Sequence, residues 1–324
     1  MTKDSLKIVF MGTPQFAVES LKTLVEDKYN VVGVVTMPDK PMGRHQTDLS
    51  VSAVKQYAQE HGLPVLQPAN LRNEDFLENL RNWKADLQIV VAFRMLPEAV
   101  WAMPPLGTFN LHAALLPQYR GAAPINWAVI NGETQTGITT FFLDHDIDTG
   151  NIISRVPVPI LDTDNAGDVH DRLMHLGASL VLETVDAILA GIVKPIEQEK
   201  LLTTGEEPTP APKIFKEDCR IDWTKTSWEV YNHIRGLSPY PAAWSAFVDA
   251  QGTEYQFKVF KTSHPEKFQS SPVAPGTIEY TKHTIKIACA DGFIEILSLQ
   301  LAGKKRMSSD EFLRGFNLED KKLS

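Results

Sequence analysis

Apolar residues in the first half of the chain alternate between short runs and longer stretches with helical spacing. The short runs, at residues 6–11, 31–36, 87–92 and 108–112, are rich in β-branched and other apolar side chains, as is typical of buried parallel strands. Between them, apolar positions recur every three or four residues, as in 16–25, which is typical of amphipathic helices. This alternation predicts a doubly wound, mostly parallel α/β sheet.

The hydrophobic pattern changes after the α/β region. An apolar stripe at helical spacing through residues 169–188 predicts a long helix that forms the end of the first domain. Residues 191–212 are rich in Pro, Thr and Glu, which is typical of a linker. Short alternating runs separated by turn residues then predict a small antiparallel β-barrel. We therefore divide the chain into a first domain at 1–190, a linker at 191–212 and a second domain at 213–324.

Composition narrows the class of protein. A length of 324 residues suits two domains, and a hydrophobic content of 43% is enough for two cores. Since the first apolar run is too short for a signal segment or a membrane span, we expect no membrane association and a cytoplasmic location. Cys219 and Cys289 stand alone, which argues against a disulfide scaffold or a zinc site and favours a reducing compartment.

Charge is distributed unevenly along the chain. The net charge of −8 is not typical of a nucleic-acid-binding protein. Residues 213–324, however, carry 16 Lys and Arg against 14 Asp and Glu, so this part is less repulsive to phosphate. Charge alone indicates no nucleic-acid site.

Two polar residues stand at the end of the predicted strand at 108–112. Asn110 and His112 are two positions apart, so their side chains point to the same face of an extended strand. The amide is a hydrogen-bond donor, and the imidazole carries a proton near neutral pH. Because doubly wound sheets bind ligands beyond the carboxyl ends of their strands, this pair indicates a reaction centre.

A second polar strand end contains three alternating carboxylates. Asp144, Asp146 and Asp148 suggest a calcium loop, but Thr149 and Arg155 occupy the positions where such a loop needs Gly and Glu. For Asp144 and Asp146 we therefore expect a solvated turn, in which Asp144 holds the loop by hydrogen bonding. Asp148 differs from them because it begins the sequence Asp-Thr-Gly at 148–150, which carries a resemblance to a known family; that resemblance places it beside Asn110 and His112, where it would complete the donor, proton carrier and carboxylate expected for acyl transfer.

Several separated motifs together resemble the folate-dependent formyltransferases. They are Asn110 and His112 followed by Leu-Leu-Pro at 115–117, Arg-Gly-Ala-Ala-Pro-Ile at 120–125 and Asp-Thr-Gly at 148–150. The resemblance begins at residues 8–14 and continues to 302–307. It implies a formyltransferase-type, Rossmann-like catalytic domain followed by an OB-like β-barrel that binds tRNA.

The resemblance also implies an activity. It implies transfer of a formyl group from 10-formyltetrahydrofolate to the α-amine of methionyl-initiator-tRNA, by direct attack of the amine and without a metal. Asn110 and a protonated His112 would donate to the tetrahedral oxyanion, while Asp148 would orient the imidazole and help to move the amine proton. We expect the chain to act as a monomer.

The same resemblance assigns two sets of binding residues. The counterparts of one set line the folate pocket of the family: Phe93, Arg94, Met95, Leu96, Ala114, Leu115, Leu116 and Pro117. Ala114 stands where the family usually has serine, and Leu115, Leu116 and Pro117 also suit an ordinary core. The candidate tRNA contacts are Arg44, in a loop at 38–48, and the basic triplet Lys304, Lys305 and Arg306, for which RNA contact and local packing are both open.

Two rival functions remain open on the sequence alone. A transferase that formylates a small amine would share the catalytic residues but would not need the second domain. A folate- or RNA-binding protein without turnover would not need Asn110, His112 and Asp148 together. An assay with formyl-folate and charged methionyl-tRNA discriminates among the three.

Overall fold

A computed structural model describes residues 1–42, 48–269 and 271–323, and the chain divides into two compact units. The first unit comprises Met1–Gly121, Thr136–Val158 and His170–Pro210. The second comprises Ala122–Gln135, Pro159–Val169 and Ala211–Ser324. The second unit thus includes two segments from the first half of the chain, which the hydrophobic pattern did not predict.

The strands and helices are numbered in chain order. The strands are β1 (Lys7–Gly12), β2 (Asn30–Val35), β3 (Lys40–Met42), β4 (Asp48–Ser50), β5 (Val65–Leu66), β6 (Leu87–Val91), β7 (Thr108–His112), β8 (Arg120–Gly121), β9 (Gln135–Phe142), β10 (Ile152–Pro159), β11 (Pro210–Ala211), β12 (Ala243–Val248), β13 (Glu254–Thr262), β14 (Glu266–Lys267), β15 (Ile278–Tyr280), β16 (Ile285–Ala288), β17 (Gly292–Leu301), β18 (Met307–Ser308) and β19 (Lys322–Leu323). The α-helices are α1 (Gln15–Glu26), α2 (Ala53–Glu60), α3 (Glu74–Asn82), α4 (Glu98–Trp101), α5 (Pro124–Ile130), α6 (Ala166–Leu189), α7 (Ser227–Gly236) and α8 (Ser309–Gly315). Short 3₁₀ helices span Gln198–Leu201 and Glu217–Cys219.

The first unit is built on a seven-stranded sheet with the order β10-β9-β7-β6-β1-β2-β5. The ladders from β7 through β6, β1 and β2 to β5 are parallel, and β9 joins β7 antiparallel. The middle of β1 is buried on both faces, which explains its continuous apolar run. The predicted doubly wound, mostly parallel sheet is confirmed.

Local sequence signals determine where strands end and where the following helices begin. A Cβ on Gly12, at the end of β1, would lie 2.6 Å from Ala17 Cβ and 2.9 Å from the Val91 carbonyl oxygen, so only glycine allows α1 to start this close to the sheet. Ser52 caps α2 by accepting from the Lys55 N–H at 3.1 Å. The predicted long helix is present as α6.

The segment at 38–48, predicted as a loop, contains secondary structure. Lys40–Met42 and Asp48–Ser50 pair antiparallel, with Pro41 opposite Leu49. A ladder this short requires only backbone pairing and tolerates proline at an edge, so composition does not reveal it. Arg44 falls among residues 43–47, outside the described part of the chain.

The second unit contains an antiparallel sheet with the order β15-β16-β17-β13-β12-β19, curled into a nearly closed barrel. Its core includes Phe247 and Phe257, whose rings stack at 4.2 Å, together with Ile287 and Ile296. A capping box between Thr226 and Glu229 starts α7 beside this core. The predicted small β-barrel is confirmed.

Candidate active site

Strand β7 carries Asn110 and His112 to the carboxyl edge of the parallel sheet. Asn110 pairs with Val90 of β6 and with Phe141 of β9, and His112 is the last residue of the strand. Both side chains point to the same face, as the spacing predicts. His112 is only 5% exposed, whereas Asn110 is half-buried.

The two ring nitrogens of His112 face different protein groups. Nε2 lies 2.8 Å from the carbonyl oxygen of Tyr119, which can only accept, so Nε2 carries the hydrogen. Nδ1 lies 3.8 Å from Oδ2 of Asp148. This separation is an ion-pair distance but too long for a hydrogen bond, so Nδ1 keeps its hydrogen-bonding capacity for a further group.

Asp148 lies in the loop that follows β9. Its backbone is in the left-handed region, at φ 56°, and its Oδ2 accepts from the Gly121 N–H at 2.9 Å. The same loop allows no side chain at Gly150, since a Cβ there would lie 1.7 Å from the Phe142 carbonyl oxygen. The loop is therefore held in one conformation, with the carboxylate close to His112.

The other acidic residues of this loop are exposed. Oδ1 of Asp144 accepts from Thr149 Oγ1 at 2.7 Å and from the Asp146 N–H at 3.2 Å, so Asp144 does hold the loop as predicted. Within the described residues, no group of three His, Cys, Asp or Glu side chains could hold a metal ion.

Asn110 differs from its two neighbours in the site. Among the residues that the structure describes, none hydrogen-bonds its side-chain amide. A half-buried amide with free donors at the carboxyl edge of a sheet is suited to binding a substrate oxygen. The structure thus brings His112 and Asp148 together and leaves Asn110, on the His112 face of β7, available.

Gln198 is a residue of this site that sequence reasoning missed. It lies in the stretch predicted as a linker, yet it is completely buried. Its side-chain amide bonds the backbone of Asp148 and Gly150 and the guanidinium of Arg120. No sequence signal distinguishes this glutamine, because its partners, two backbone oxygens and one guanidinium, belong to segments that are distant along the chain.

The predicted folate residues after β7 form a tight turn. Ala114 is completely buried, and its carbonyl oxygen accepts from Thr139 Oγ1 at 2.6 Å, while the Leu116 N–H donates to the same hydroxyl at 3.2 Å. Leu116 packs in a hydrophobic cluster with Phe141 and Ile152. The Leu116 side chain therefore belongs to the core, as the alternative interpretation had it, and its backbone carbonyl oxygen accepts from Nη1 of Arg155 at 2.9 Å.

The predicted folate residues after β6 lie beside this turn, because β6 and β7 are neighbouring parallel strands. Arg94 donates from Nη1 and Nη2 to the carbonyl oxygens of Ala69 and Pro68, at 2.9 and 2.5 Å, and burial lowers its pKa. Met95 is 72% exposed, whereas Leu96 is buried in a core cluster. Arg94 thus connects the turn after β6 to the segment that contains Pro68 and Ala69.

The basic triplet of the second unit is exposed, but its members differ. Arg306 donates from Nε to Ser298 Oγ at 2.9 Å, and its guanidinium carbon lies 4.4 Å from the centre of the Phe260 ring. Lys304 and Lys305 have no ion-pair partner within the described residues. Arg306 therefore takes part in local packing, whereas the two lysines are available to an anionic partner.

Two further features of the described residues bear on function: the length and hydropathy of the helices, and the state of the two cysteines. Of the helices in the described residues, none is long and apolar enough to cross a membrane. Cys219 and Cys289 are buried in the second unit and are unpaired, as the sequence suggests. Burial raises the pKa of the Cys289 thiol to about 12.

Comparison with known proteins gives matches over nearly the whole chain. The family described as "Formyl transferase" matches residues 6–185, and "Formyl transferase, C-terminal domain" matches residues 213–317. Curated relatives named methionyl-tRNA formyltransferase include those of Bacteroides fragilis, 62% identical over 321 residues, and Phocaeicola vulgatus, 63% identical over 321 residues. Each comparison covers 99% of this chain and 98% of the relative.

Solved structures with the same fold are more distant in sequence. One is WlaRD, a sugar 3N-formyl transferase crystallised with dTDP and 5-N-formyl-THF, at a TM-score of 0.64 and 20% identity, covering 93% of this chain and 99% of that one. Another is an N-formyltransferase from Helicobacter canadensis in complex with folinic acid and dTDP-3-aminofucose, at a TM-score of 0.63 and 20% identity, covering 93% and 100%. At this identity the likeness concerns the fold alone.

Proposed function

Because this chain belongs to the formyl transferase family, we propose that it transfers a formyl group from 10-formyltetrahydrofolate to the α-amine of methionyl-initiator-tRNA, for translation initiation. The choice of acceptor rests on the relatives at 62 and 63% identity, which align over nearly their whole length. The choice of chemistry rests on one geometric observation, the 3.8 Å between Nδ1 of His112 and Oδ2 of Asp148 at the end of β7.

The reaction begins when the α-amine attacks the formyl carbon. A new C–N bond forms, and the carbonyl oxygen becomes the oxyanion of a tetrahedral intermediate. The free amide of Asn110 and the Nδ1–H of a protonated His112 donate to this oxygen. Hydrogen-bond donors aimed at a developing charge act in the transition state more than in the ground state, and removing one typically costs about 10²–10³ in rate.

Asp148 supports the proton transfers of the reaction. Its carboxylate faces Nδ1 of His112 at 3.8 Å, and in the proposed mechanism it accepts the proton that the attacking amine loses. The intermediate collapses when its C–N bond to the folate breaks and that folate nitrogen receives a proton. The products are tetrahydrofolate and the formylated aminoacyl-tRNA, with no net change in protons on the enzyme.

No covalent enzyme intermediate is required. Neither cysteine suits a nucleophile, since Cys219 and Cys289 are buried in the second unit and burial raises the pKa of both thiols. The substrate amine itself is the nucleophile, and no metal takes part in the proposal. We propose that the protein is a cytoplasmic monomer.

The two proposed binding regions follow the domain division into 1–190 and 213–324. Folate binds against the turns that follow β6 and β7, using Phe93, Arg94, Met95, Leu96 and residues 114–117. Because Ala114 and Leu116 are buried and Thr139 and Arg155 bond their backbone groups, these two residues contribute by fixing the shape of the turn. The tRNA is bound by Arg44 and by the exposed lysines 304 and 305 of the second unit.

The decisive experiment offers the pure protein several amine acceptors. With labelled 10-formyltetrahydrofolate, we expect label to be transferred to methionyl-initiator-tRNA and not to a dTDP-amino sugar, and we expect His112→Ala to lose this transfer. Labelling of the amino sugar in preference to the tRNA would replace the proposed acceptor by a small amine. Folate binding without any transfer would contradict the enzymatic proposal altogether.

A further inference from the structure

Gln198 is the first residue of a short 3₁₀ helix, Gln198–Leu201, and is completely buried. Backbone hydrogen bonds in both directions between Ile152 and Ile196, at 2.8 and 2.9 Å, fix the chain just before it. A further backbone bond, from the Tyr119 N–H to the Thr209 carbonyl oxygen at 2.6 Å, fixes the chain after it. The glutamine is therefore carried by a segment that is fastened on both sides to the first unit.

The side-chain amide of Gln198 is fully hydrogen-bonded. Its Nε2 donates to the carbonyl oxygens of Asp148 and Gly150, each at 2.8 Å. Its Oε1 accepts from Nε and Nη2 of Arg120, at 3.0 and 2.8 Å. Carbonyl oxygens can only accept and a guanidinium can only donate, so the amide has one possible orientation.

These four bonds join the two segments that hold the Asp148 carboxylate. One segment is the loop 148–150, whose backbone carries the carboxylate. The other contains Arg120 and the adjacent Gly121, whose N–H donates to Oδ2 of Asp148 at 2.9 Å. Gln198 thus fixes both the backbone that bears the carboxylate and the donor that orients it.

The loop also needs an external restraint. Asp148 has a left-handed backbone, at φ 56°, which costs free energy for a residue other than glycine. Such a conformation persists only where surrounding contacts impose it. The two bonds from Nε2 of Gln198, one to the carbonyl oxygen of Asp148 itself and one to that of Gly150, supply that restraint.

We propose that Gln198 is a positioning residue for formyl transfer, which holds the Asp148 carboxylate within ion-pair distance of His112. This inference rests on the proposed function for its kinetic consequence. Through the loop backbone, loss of the Nε2 donors allows the carboxylate to move away from His112. A misplacement of about 1 Å at a reacting group can cost about 100-fold in rate. We therefore expect kcat to fall about 10- to 100-fold, with little change in KM for folate or tRNA.

Two substitutions separate the donors of Gln198 from its acceptors. Gln198→Glu keeps oxygens that can accept from Arg120 but removes both donors to the loop, and Gln198→Met removes all four bonds at nearly constant volume. We expect kcat to fall in both. Gln88→Met is the matched control, because Gln88, in β6, is an equally buried glutamine of the first unit, and among the described residues its Oε1 accepts from Thr108 Oγ1 alone. The control should retain kcat.

A double-mutant cycle with Asp148→Asn tests whether Gln198 acts through Asp148. If it does, Gln198→Met lowers kcat far less in the Asp148→Asn background than in the wild-type background. A general loss of folding would instead lower kcat by the same factor in both backgrounds. Equal factors, or wild-type kcat in Gln198→Glu, would overturn the inference.

Hydrogen exchange provides a readout that does not depend on activity. The Gly121 amide is protected by Asp148, so its exchange should be faster in both Gln198 variants and unchanged in Gln88→Met. If the wild-type protein formylates no acceptor while this exchange still responds, the proposed function fails and the positioning of Asp148 stands. If exchange at Gly121 does not respond, the positioning role is wrong whatever the activity.

Discussion

The imidazole of His112 directs Nε2 towards the carbonyl oxygen of Tyr119, 2.8 Å away, so that Nδ1 is the nitrogen that faces Asp148. Since the carbonyl oxygen can only accept, Nε2 carries a hydrogen in both the neutral and the protonated imidazole. Nδ1 is therefore the atom that gains and loses the catalytic proton. The Tyr119 carbonyl fixes the tautomer in the way that a carboxylate or backbone oxygen does in other histidine sites.

The first prediction follows from this geometry and concerns His112→Ala. We expect kcat to fall about 10²–10³-fold, because a donor to the oxyanion is lost. The substitution also leaves the buried Tyr119 carbonyl without this hydrogen bond, which should destabilise the protein by about 1–3 kcal/mol. Steady-state kinetics and urea unfolding measure the two effects separately.

His145→Ala is the matched control for that experiment. His145 lies in the same loop as Asp148, but its side chain is 72% exposed, with its ring against Trp101 and its Nδ1 3.9 Å from Glu98. It should retain both activity and stability. If the two variants lost kcat and stability to a similar extent, the effect would not be specific to His112, and the catalytic role assigned to it would be wrong.

The second prediction concerns Asn110→Ala and has the opposite stability signature. Because no described residue hydrogen-bonds the Asn110 amide, its removal leaves no protein group unsatisfied. We expect a thermal midpoint close to that of the wild type, together with a loss in kcat of about 10²-fold. A large drop in stability with normal kcat would instead make Asn110 a structural residue.

How far the sequence predicts this site depends on how local each contact is. Asn110 and His112 are predictable as a pair because the period of a strand alone places them on one face. Asp148 lies near His112 because of a loop with a left-handed backbone, which no residue pattern predicts, so only the family motif indicates its role. Gln198 is outside any motif, and its role exists only because distant backbone atoms converge on it.

The same distinction applies to the fold. Runs of apolar residues predict β1, β2, β6 and β7 to within one residue at each end, because burial determines those patterns. The grouping of residues 122–135 and 159–169 with the second unit follows from long-range packing, which local periodicity does not encode. The short hairpin of β3 and β4 is formed by backbone pairing and leaves no hydrophobic signature.

The third prediction concerns Asp291 and the pH dependence of stability in the second unit. Burial alone would raise the pKa of Asp291, but hydrogen bonds from Lys267 and from the Ser227 N–H, at 2.7 Å, outweigh it and lower the pKa from 3.8 to about 2. A carboxyl with a lowered pKa in the folded state stabilises the protein above pH 4, and this stabilisation is lost as the pH falls towards 2.

Asp291→Asn tests this dependence, because the amide oxygen can still accept from Ser227 while the charge is gone. We expect the variant to be less stable by about 1–2 kcal/mol at pH 7, a value reduced for solvent screening. The difference should shrink as the pH falls from 4 towards 2. Urea unfolding across this range measures it, with the exposed Glu254→Gln as the control. A difference that stays constant with pH would contradict the charge argument.

The last prediction separates RNA binding from packing within the basic triplet 304–306. Lys304 and Lys305 are exposed and have no ion-pair partner in the described residues, whereas Arg306 is fastened to Ser298 and Phe260. The double variant Lys304→Gln, Lys305→Gln should therefore bind methionyl-initiator-tRNA more weakly at an unchanged thermal midpoint. Each lost phosphate contact should lower the slope of log affinity against log salt by about 0.7–0.9.

Arg306→Gln should lower the thermal midpoint of the second unit, because a cation–π contact and a hydrogen bond are lost. Binding titrations at several salt concentrations and thermal melts of both variants provide the comparison. A double-lysine variant with the wild-type salt slope would exclude these residues from the tRNA interface.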